Sequence, residues 1–326
     1  MRENLEPAVP YAPFFVGRAV HFCLERYYGD GVDIWTSLEA YLENEQKIAG
    51  TLWKQEQEKW DESTTLISEL LAHYMLWAQV DTSDYRDSNL TFLDLEVPFN
   101  VPMYHPETGH EDPNVRLEGR FDGIVLHKPT NKYWIWETKT ARSIGELTNS
   151  LENDEQAGAY IYAGQMLKDI KIEGVLYNII RKKAPTHPRI LQNGYLSTQK
   201  GEYTAFSYVA DVRRNHPDWN WDLIQEYYGS VINNMSLGDN GFFSRYPVRR
   251  STFEVAHLVS NLYWTAQEMI DPNTVLYPAP SFIKCNFCQF RAPCITKSRG
   301  GNFEALLRAE YQQRVKAESY REVEIP

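Results

Sequence analysis

The stretch Gly119–Ala141, GRFDGIVLHKPTNKYWIWETKTA, sets two apolar, aromatic runs on either side of a turn. Runs of this composition read as strands, which normally carry charge at their ends or on a solvated face. Here Asp122, Glu137 and Lys139 stand well inside them. Alternate residues of a strand share a face, so Tyr133, Ile135, Glu137 and Lys139 point one way and Trp134, Trp136 and Thr138 the other. The short turn around Pro129–Lys132 makes the two runs hairpin partners and puts Asp122 on the neighbouring ladder. Two carboxylates and an ammonium then converge on one spot of a sheet, where burial is costly unless they pair or hold a metal. From these residues alone two readings stand open: a cross-strand salt bridge at a sheet edge, or a metal site.

Outward from the hairpin, hydrophobic spacing predicts helices over 15–28, 37–60 and 62–80, and strands over 91–104 and 115–127. After YWIWETKT (133–140), residues 153–167 return to helical periodicity. Residues 174–183 read as a short buried strand ending in bases. Residues 204–236, 250–270 and 302–319 read as mainly helical. The expected class is a mixed α/β (α+β) fold in a single domain, 1–326. Its parts are a helical region 1–90, a sheet and helix over 91–183, and a second helical region 184–326.

The chain has 326 residues, 43% of them hydrophobic and 24% charged, which suits a soluble globular protein with a sizeable core. No run of about 18 apolar residues offers a membrane span. The opening MRENLEPAVPYAPFF lacks the basic-then-apolar pattern of a signal peptide, so the cytoplasm is the expected location. A net charge of −11 argues at first sight against a polyanionic substrate. The charge is unevenly spread: residues 41–100 hold 12 acids and 4 bases, whereas 178–300 hold 14 bases and 9 acids. The bases gather as Arg181, Lys182, Lys183 and Arg189, and again as Arg245, Arg249 and Arg250. Each group is either a phosphate-binding surface or scattered solvated charge.

Further polar residues accompany the hairpin. His21 stands four residues after Gly17, and Gln156 and Tyr160 share a helical face at i, i+4. Gly17-x-x-x-His21, Gly119-Arg120-Phe121-Asp122, Glu137-Thr138-Lys139-Thr140 and Gln156-x-x-x-Tyr160 together resemble the PD-(D/E)XK nuclease superfamily, and within it the RecB-type nuclease domain. The four motifs span 17–160 in the family order. The resemblance implies a small mixed sheet flanked by helices, a restriction-endonuclease-like core, and cleavage of DNA with Mg²⁺ or Mn²⁺. It implies metal ligands at His21, Asp122, Glu137 and the Thr138 carbonyl, with Lys139 orienting the attacking water. Gln156 and Tyr160 would position the DNA strand, and Arg181, Lys182 and Lys183 would contact its backbone. Glu96 and Arg120 stand behind these as further family-like positions. The residue types suit the chemistry, since phosphodiester hydrolysis uses hard divalent cations that prefer oxygen ligands.

Cys285, Cys288 and Cys294 form a C-x2-C-x5-C pattern, and Cys23 is the only other cysteine. Three thiols within ten residues leave one over as a disulfide set, but suit zinc or an iron–sulfur cluster with a fourth ligand from elsewhere. The triplet resembles the 4Fe–4S staple of AddB-type and CRISPR-adaptation nucleases, which implies Cys23 as the fourth ligand and a cluster closing the fold, zinc being the alternative. In those families the early cysteine usually precedes the Gly-x-x-x-His motif, whereas Cys23 follows His21, about 200° around a helix. No Gly-x4-Gly-Lys-Ser/Thr motif occurs, so the chain is not itself a helicase. It is similar to stand-alone phage or prophage nucleases, acting on DNA ends in the host cytoplasm if viral. A recombinase, single-strand annealing protein or helicase would be its partner.

Overall fold

The computed structural model describes residues 5–7, 15–49, 54–168, 170–235, 241–275, 277–286 and 288–313. A short strand β1 (Leu5–Pro7) is followed by helices α1 (Phe15–Asp30), α2 (Ile34–Ala49) and α3 (Lys54–Val80). Three strands follow, β2 (Leu90–Tyr104), β3 (Glu111–His127) and β4 (Lys132–Ala141). Next come α4 (Ile144–Leu151), α5 (Glu155–Lys168) and strand β5 (Ile172–Arg181). Helices α6 (Ala205–Asn215) and α7 (Trp221–Ile232) lead to β6 (Phe243–Val248) and α8 (Thr252–Ile270). The described chain closes with α9 (Phe282–Asn286), α10 (Arg291–Ser298), α11 (Phe303–Glu310) and β7 (Tyr311–Gln313).

Strands β2-β3-β4-β5-β6 form one sheet in that order, antiparallel except for the parallel pair β4–β5. Strand alternation divides the core as the hairpin sequence predicts. Ile135, Val175, Tyr177 and Ile179 pack with Ala157 and Ile161 of α5. On the other face Trp134, Trp136 and Leu176 pack with Val125, Leu90 and Tyr28 of α1, while Ile180 joins the core of α1–α3. The sheet is thus covered on both faces, which is why β5 is an apolar run rather than an alternating one.

Several expectations are corrected. Against the helices expected over 37–60 and 62–80, α2 covers Ile34–Ala49 and α3 covers Lys54–Val80, and residues 50–53 lie outside the described residues. Helix α4 appears where none was predicted, and the region after 232 contributes β6, a fifth strand. The last helix ends at Glu310 and gives way to β7, which pairs antiparallel with β1; the remainder of the expected helix lies outside the described residues. The second basic group divides: Arg249 is exposed, whereas Arg245 is buried. The Arg245 side chain is 0% exposed, held by Asp81 at 3.7 Å, Asp87, the Tyr85 carbonyl and the Tyr28 and Tyr74 hydroxyls. Its guanidinium stacks near Trp77 and Trp136. Arg249 bonds Glu173 and lies over Trp134, and Arg250 donates to the carbonyls of Leu151 and Glu152. Arg245 thus ties β6 to the helical layer, Arg249 meets strands β4 and β5, and Arg250 meets the end of α4.

Candidate active site

The hairpin β3–β4 is in register from His127↔Lys132 to Gly123↔Trp136 and no further. Beyond that point β4 continues alongside β5 to Ala141↔Arg181, while β3 continues alongside β2. Asp122 and Glu137 are the first residues past the fork. Parting strands leave backbone donors without a ladder partner, and the Asp122 carboxylate supplies one, accepting the Thr138 N–H at 2.7 Å. A residue's N–H and C=O lie on the same edge of an extended strand, so the Thr138 carbonyl belongs to this edge as well.

Opposite the fork, Glu96 has a positive φ of 49°. A carboxylate side chain in left-handed backbone is strained, and strain of this kind gathers at functional sites. On β3 beside it, Phe121 and Ile124, three residues apart, both enter the same core. Glu96 pairs with Arg120 at 3.1 Å. Burial and the neighbouring Asp122 charge raise its carboxyl above the usual range.

His21 arrives from α1. Gly17, one turn earlier, lies against Thr140 of β4, where an added Cβ would stand 3.2 Å from the Thr140 hydroxyl. That close approach brings the helix down on the sheet and sets His21 Nδ1 at 3.2 Å from Asp122. Burial lowers the basicity of the imidazole, but the charge and hydrogen bond of Asp122, with Glu137 behind it, outweigh burial and raise it to about 9. Glu25, Tyr28, Leu95 and Trp136 help line the small open pocket beside these groups. Tyr28 was not singled out from sequence, although its place seven residues after His21 puts it on the same helical face.

On the other face Lys139 donates to Glu137 Oε1 and to Gln156 Oε1, both at 2.6 Å. The Gln156 amide donates to Glu137 Oε1 at 3.3 Å and to the Tyr160 hydroxyl at 2.8 Å; Tyr160 in turn donates to the Arg120 carbonyl. Of the two residues expected to hold DNA, Gln156 thus bonds Lys139 and Glu137, and Tyr160 bonds Gln156 and the Arg120 carbonyl. Glu137 Oε2 is buried and has no hydrogen-bond partner. Desolvation and the Asp122 charge push the Glu137 carboxyl up to about 7. A buried carboxylate oxygen without a donor is what a cation would satisfy. The hard donors Asp122, Glu137 and the Thr138 carbonyl, with the His21 nitrogen, therefore suit Mg²⁺ or Mn²⁺. Among the described residues no three His, Cys, Asp or Glu side chains are closed into a metal cage. The side chains stand as two ion pairs, His21–Asp122 and Glu137–Lys139.

The first basic group is partly engaged. Arg181 and Lys183 both bond Glu202, at 2.8 Å for Arg181, and Lys182 is partly buried, its ammonium pulled below its ordinary value by desolvation. Arg189 is exposed. The cysteines divide sharply. Cys23 is 0% exposed in the apolar core of α1–α3, where burial pushes its thiol up to about 12. Cys288 and Cys294 are exposed and Cys285 partly so. Backbone turns keep the triplet local, with the Cys288 N–H on the Cys285 carbonyl and the Arg291 N–H on that of Cys288. The soft donors of the triplet fit zinc or iron–sulfur chemistry, and among the described residues Cys23 stands apart from them, in the apolar packing of α1–α3. Strands β1 and β7 join the first and last described segments, with Tyr311 stacked on Phe290 inside the cysteine segment.

A family model, PD-(D/E)XK nuclease superfamily, matches residues 2–295. The chain belongs to that superfamily. Its members are generally nucleases and typically use Mg²⁺ or Mn²⁺. No individual curated protein matches the sequence closely enough to count as a relative. No helix among the described residues is long and apolar enough to cross a membrane.

Proposed function

We propose that this protein is a metal-dependent DNA exonuclease of the RecB type, hydrolysing phosphodiester bonds at DNA ends in recombination, repair or replication. The observation that carries the reading is the fork between β3 and β4. There His21 pairs with Asp122 at 3.2 Å, and Glu137, whose Oε2 is buried without a partner, pairs with Lys139. Bound Mg²⁺ or Mn²⁺ would supply Lewis acidity at the scissile phosphate and acidify water. Asp122, Glu137, His21 and the Thr138 carbonyl would hold it. Lys139 holds its ammonium against Glu137, where it can bond the attacking water and offset charge growing on the phosphate. Gln156 fixes that ammonium from the other side.

The basic residues Arg181, Lys182 and Lys183 at the end of β5 would meet the DNA backbone. The C-terminal triplet would hold an iron–sulfur cluster, or zinc, as a structural clip. A recombinase, annealing protein or helicase suits as partner, in the cytoplasm, or the host cytoplasm for a phage-borne copy.

End-labelled single- and double-stranded DNA, digested with Mg²⁺ or Mn²⁺ beside a covalently closed circle, tests the activity. Shortening from the ends with the circle intact is expected. Cutting of the circle would make the enzyme an endonuclease, and no cutting would leave a DNA-end-binding module. Anaerobic protein should be brown, with iron lost in Cys285→Ser, Cys288→Ser and Cys294→Ser. Cys23→Ala should keep its iron and lose about 1 kcal/mol of stability through the core cavity. A colourless Cys23→Ala would return that thiol to the ligand set.

A further inference from the structure

Lys139, Glu137 and the Tyr160 hydroxyl all bond the Gln156 side chain, yet Gln156 belongs to the first turn of α5. Backbone N–H groups there lack intrahelical acceptors, and helix ends fray. Asp154 meets both problems. Its Oδ1 accepts the Gln156 N–H at 2.9 Å, and its Oδ2 accepts the Tyr177 hydroxyl at 3.0 Å. An aspartate at a helix start is common and alone says nothing about function. What sets this one apart is the second oxygen. Tyr177 is fully buried on β5, directly beside Glu137 in the β4–β5 register. A closed ring therefore runs from Glu137 across the ladder to Tyr177, through Asp154 to Gln156, and back through Lys139 to Glu137.

We propose that Asp154 and Tyr177 are positioning residues, a strut that fixes Gln156 and through it the Lys139 ammonium; this rests on the nuclease reading above. Neither touches the reacting atoms. Without the strut the first turn of α5 keeps only the Gln156 side-chain bonds and the packing of Ala157 as ties to the sheet. Gln156 then presents Oε1 to Lys139 less firmly, and the ammonium keeps only Glu137 as a fixed partner. Displacements of about 1 Å in a catalytic group can lower turnover by about a hundredfold.

The test compares the full chain with Asp154→Ala, Asp154→Asn, Tyr177→Phe and Ser143→Ala. Ser143 caps the adjacent helix α4 through the Glu146 N–H and makes no bond to Gln156 or Lys139. Two quantities are read: kcat and KM on linear DNA, and the labelling rate of Lys139 by an amine reagent in metal-free protein, followed by mass spectrometry. Asp154→Ala and Tyr177→Phe should lower kcat by about 10- to 100-fold with KM within about twofold, and speed Lys139 labelling several-fold. Asp154→Asn, which keeps an acceptor for the Gln156 N–H and a partner for Tyr177, should recover to within about threefold of wild type. Ser143→Ala should match wild type in both readouts. Unchanged labelling in Asp154→Ala and Tyr177→Phe overturns the strut whatever the wild type does to DNA. So does a kcat loss that Ser143→Ala shares or Asp154→Asn fails to rescue. Should Asp154→Ala not fold, Tyr177→Phe, which removes one hydroxyl, decides alone. A wild type that cuts no DNA but whose labelling responds as stated overturns the nuclease reading and leaves the strut.

Discussion

Glu137 buries one carboxylate oxygen without a donor while the other accepts from Lys139 and Gln156. With 4% of its side chain exposed, its charged form is held at a disadvantage in the metal-free protein. Glu137→Gln removes that burden and a metal donor together. Turnover should fall by about a thousandfold or more, while the melting temperature in EDTA rises above wild type. Calorimetry and single-turnover cleavage on the same preparation check both halves. A residue with no site role would lose on both counts or on neither. Asp122, Glu137 and Lys139 were legible because charge inside an aromatic hairpin violates a local rule, and such violations mark functional sites. Asp154 and Tyr177 were not. An aspartate before a helix and a tyrosine in a buried strand each satisfy their local rules.

At the scale of elements, the sequence reads well where periodicity is long and poorly where an element is short or borrowed. Strand β6, FSRYPV, contains a proline that breaks the ladder pattern and an arginine that looks like surface charge. It is a strand because it lies at the sheet edge, where a missing donor is tolerated, and because Arg245 is neutralised by Asp81 and Asp87 from distant segments. Helix α4 spaces Ile144, Leu147 and Leu151 at i, i+3 and i+7, but its eight residues are too short a run for that period to stand out. The basic end of β5 shows the same dependence on distant residues. Arg181 and Lys183 share Glu202, supplied by the connection to α6, so a carboxylate stands where a phosphate would bond. Exposed pairs of this kind are worth about 0–1 kcal/mol, which DNA can displace. Glu202→Gln should therefore tighten DNA binding several-fold and steepen its salt dependence by up to two phosphate contacts. Fluorescence anisotropy across a salt series reads this directly, and an unchanged slope would show that these bases do not meet the backbone.

For the whole molecule, the site is a place where helix α1, the β3–β4 fork and helix α5 converge, and its charges load the stability of all three. Glu137 has its carboxyl raised to about 7 from an ordinary value near 4.5, and His21 is raised to about 9 from 6.5. Between pH 4.5 and 7 the folded protein holds a proton on Glu137 that the unfolded chain releases. Between 6.5 and 9 it does the same at His21. In both windows the folded state binds more protons than the unfolded one, so raising the pH destabilises it. Metal-free protein should thus melt at progressively lower temperature from pH 5 to pH 9. A divalent cation held by the same donors needs them deprotonated, so it competes with those protons and its stabilisation grows as they leave. The melting-temperature gain from Mg²⁺ or Mn²⁺ should be small near pH 5 and largest near pH 9. His21→Gln should flatten the upper window and Glu137→Gln the lower. A cation effect independent of pH, or one that survives Glu137→Gln unchanged, would mean the ion binds away from the fork.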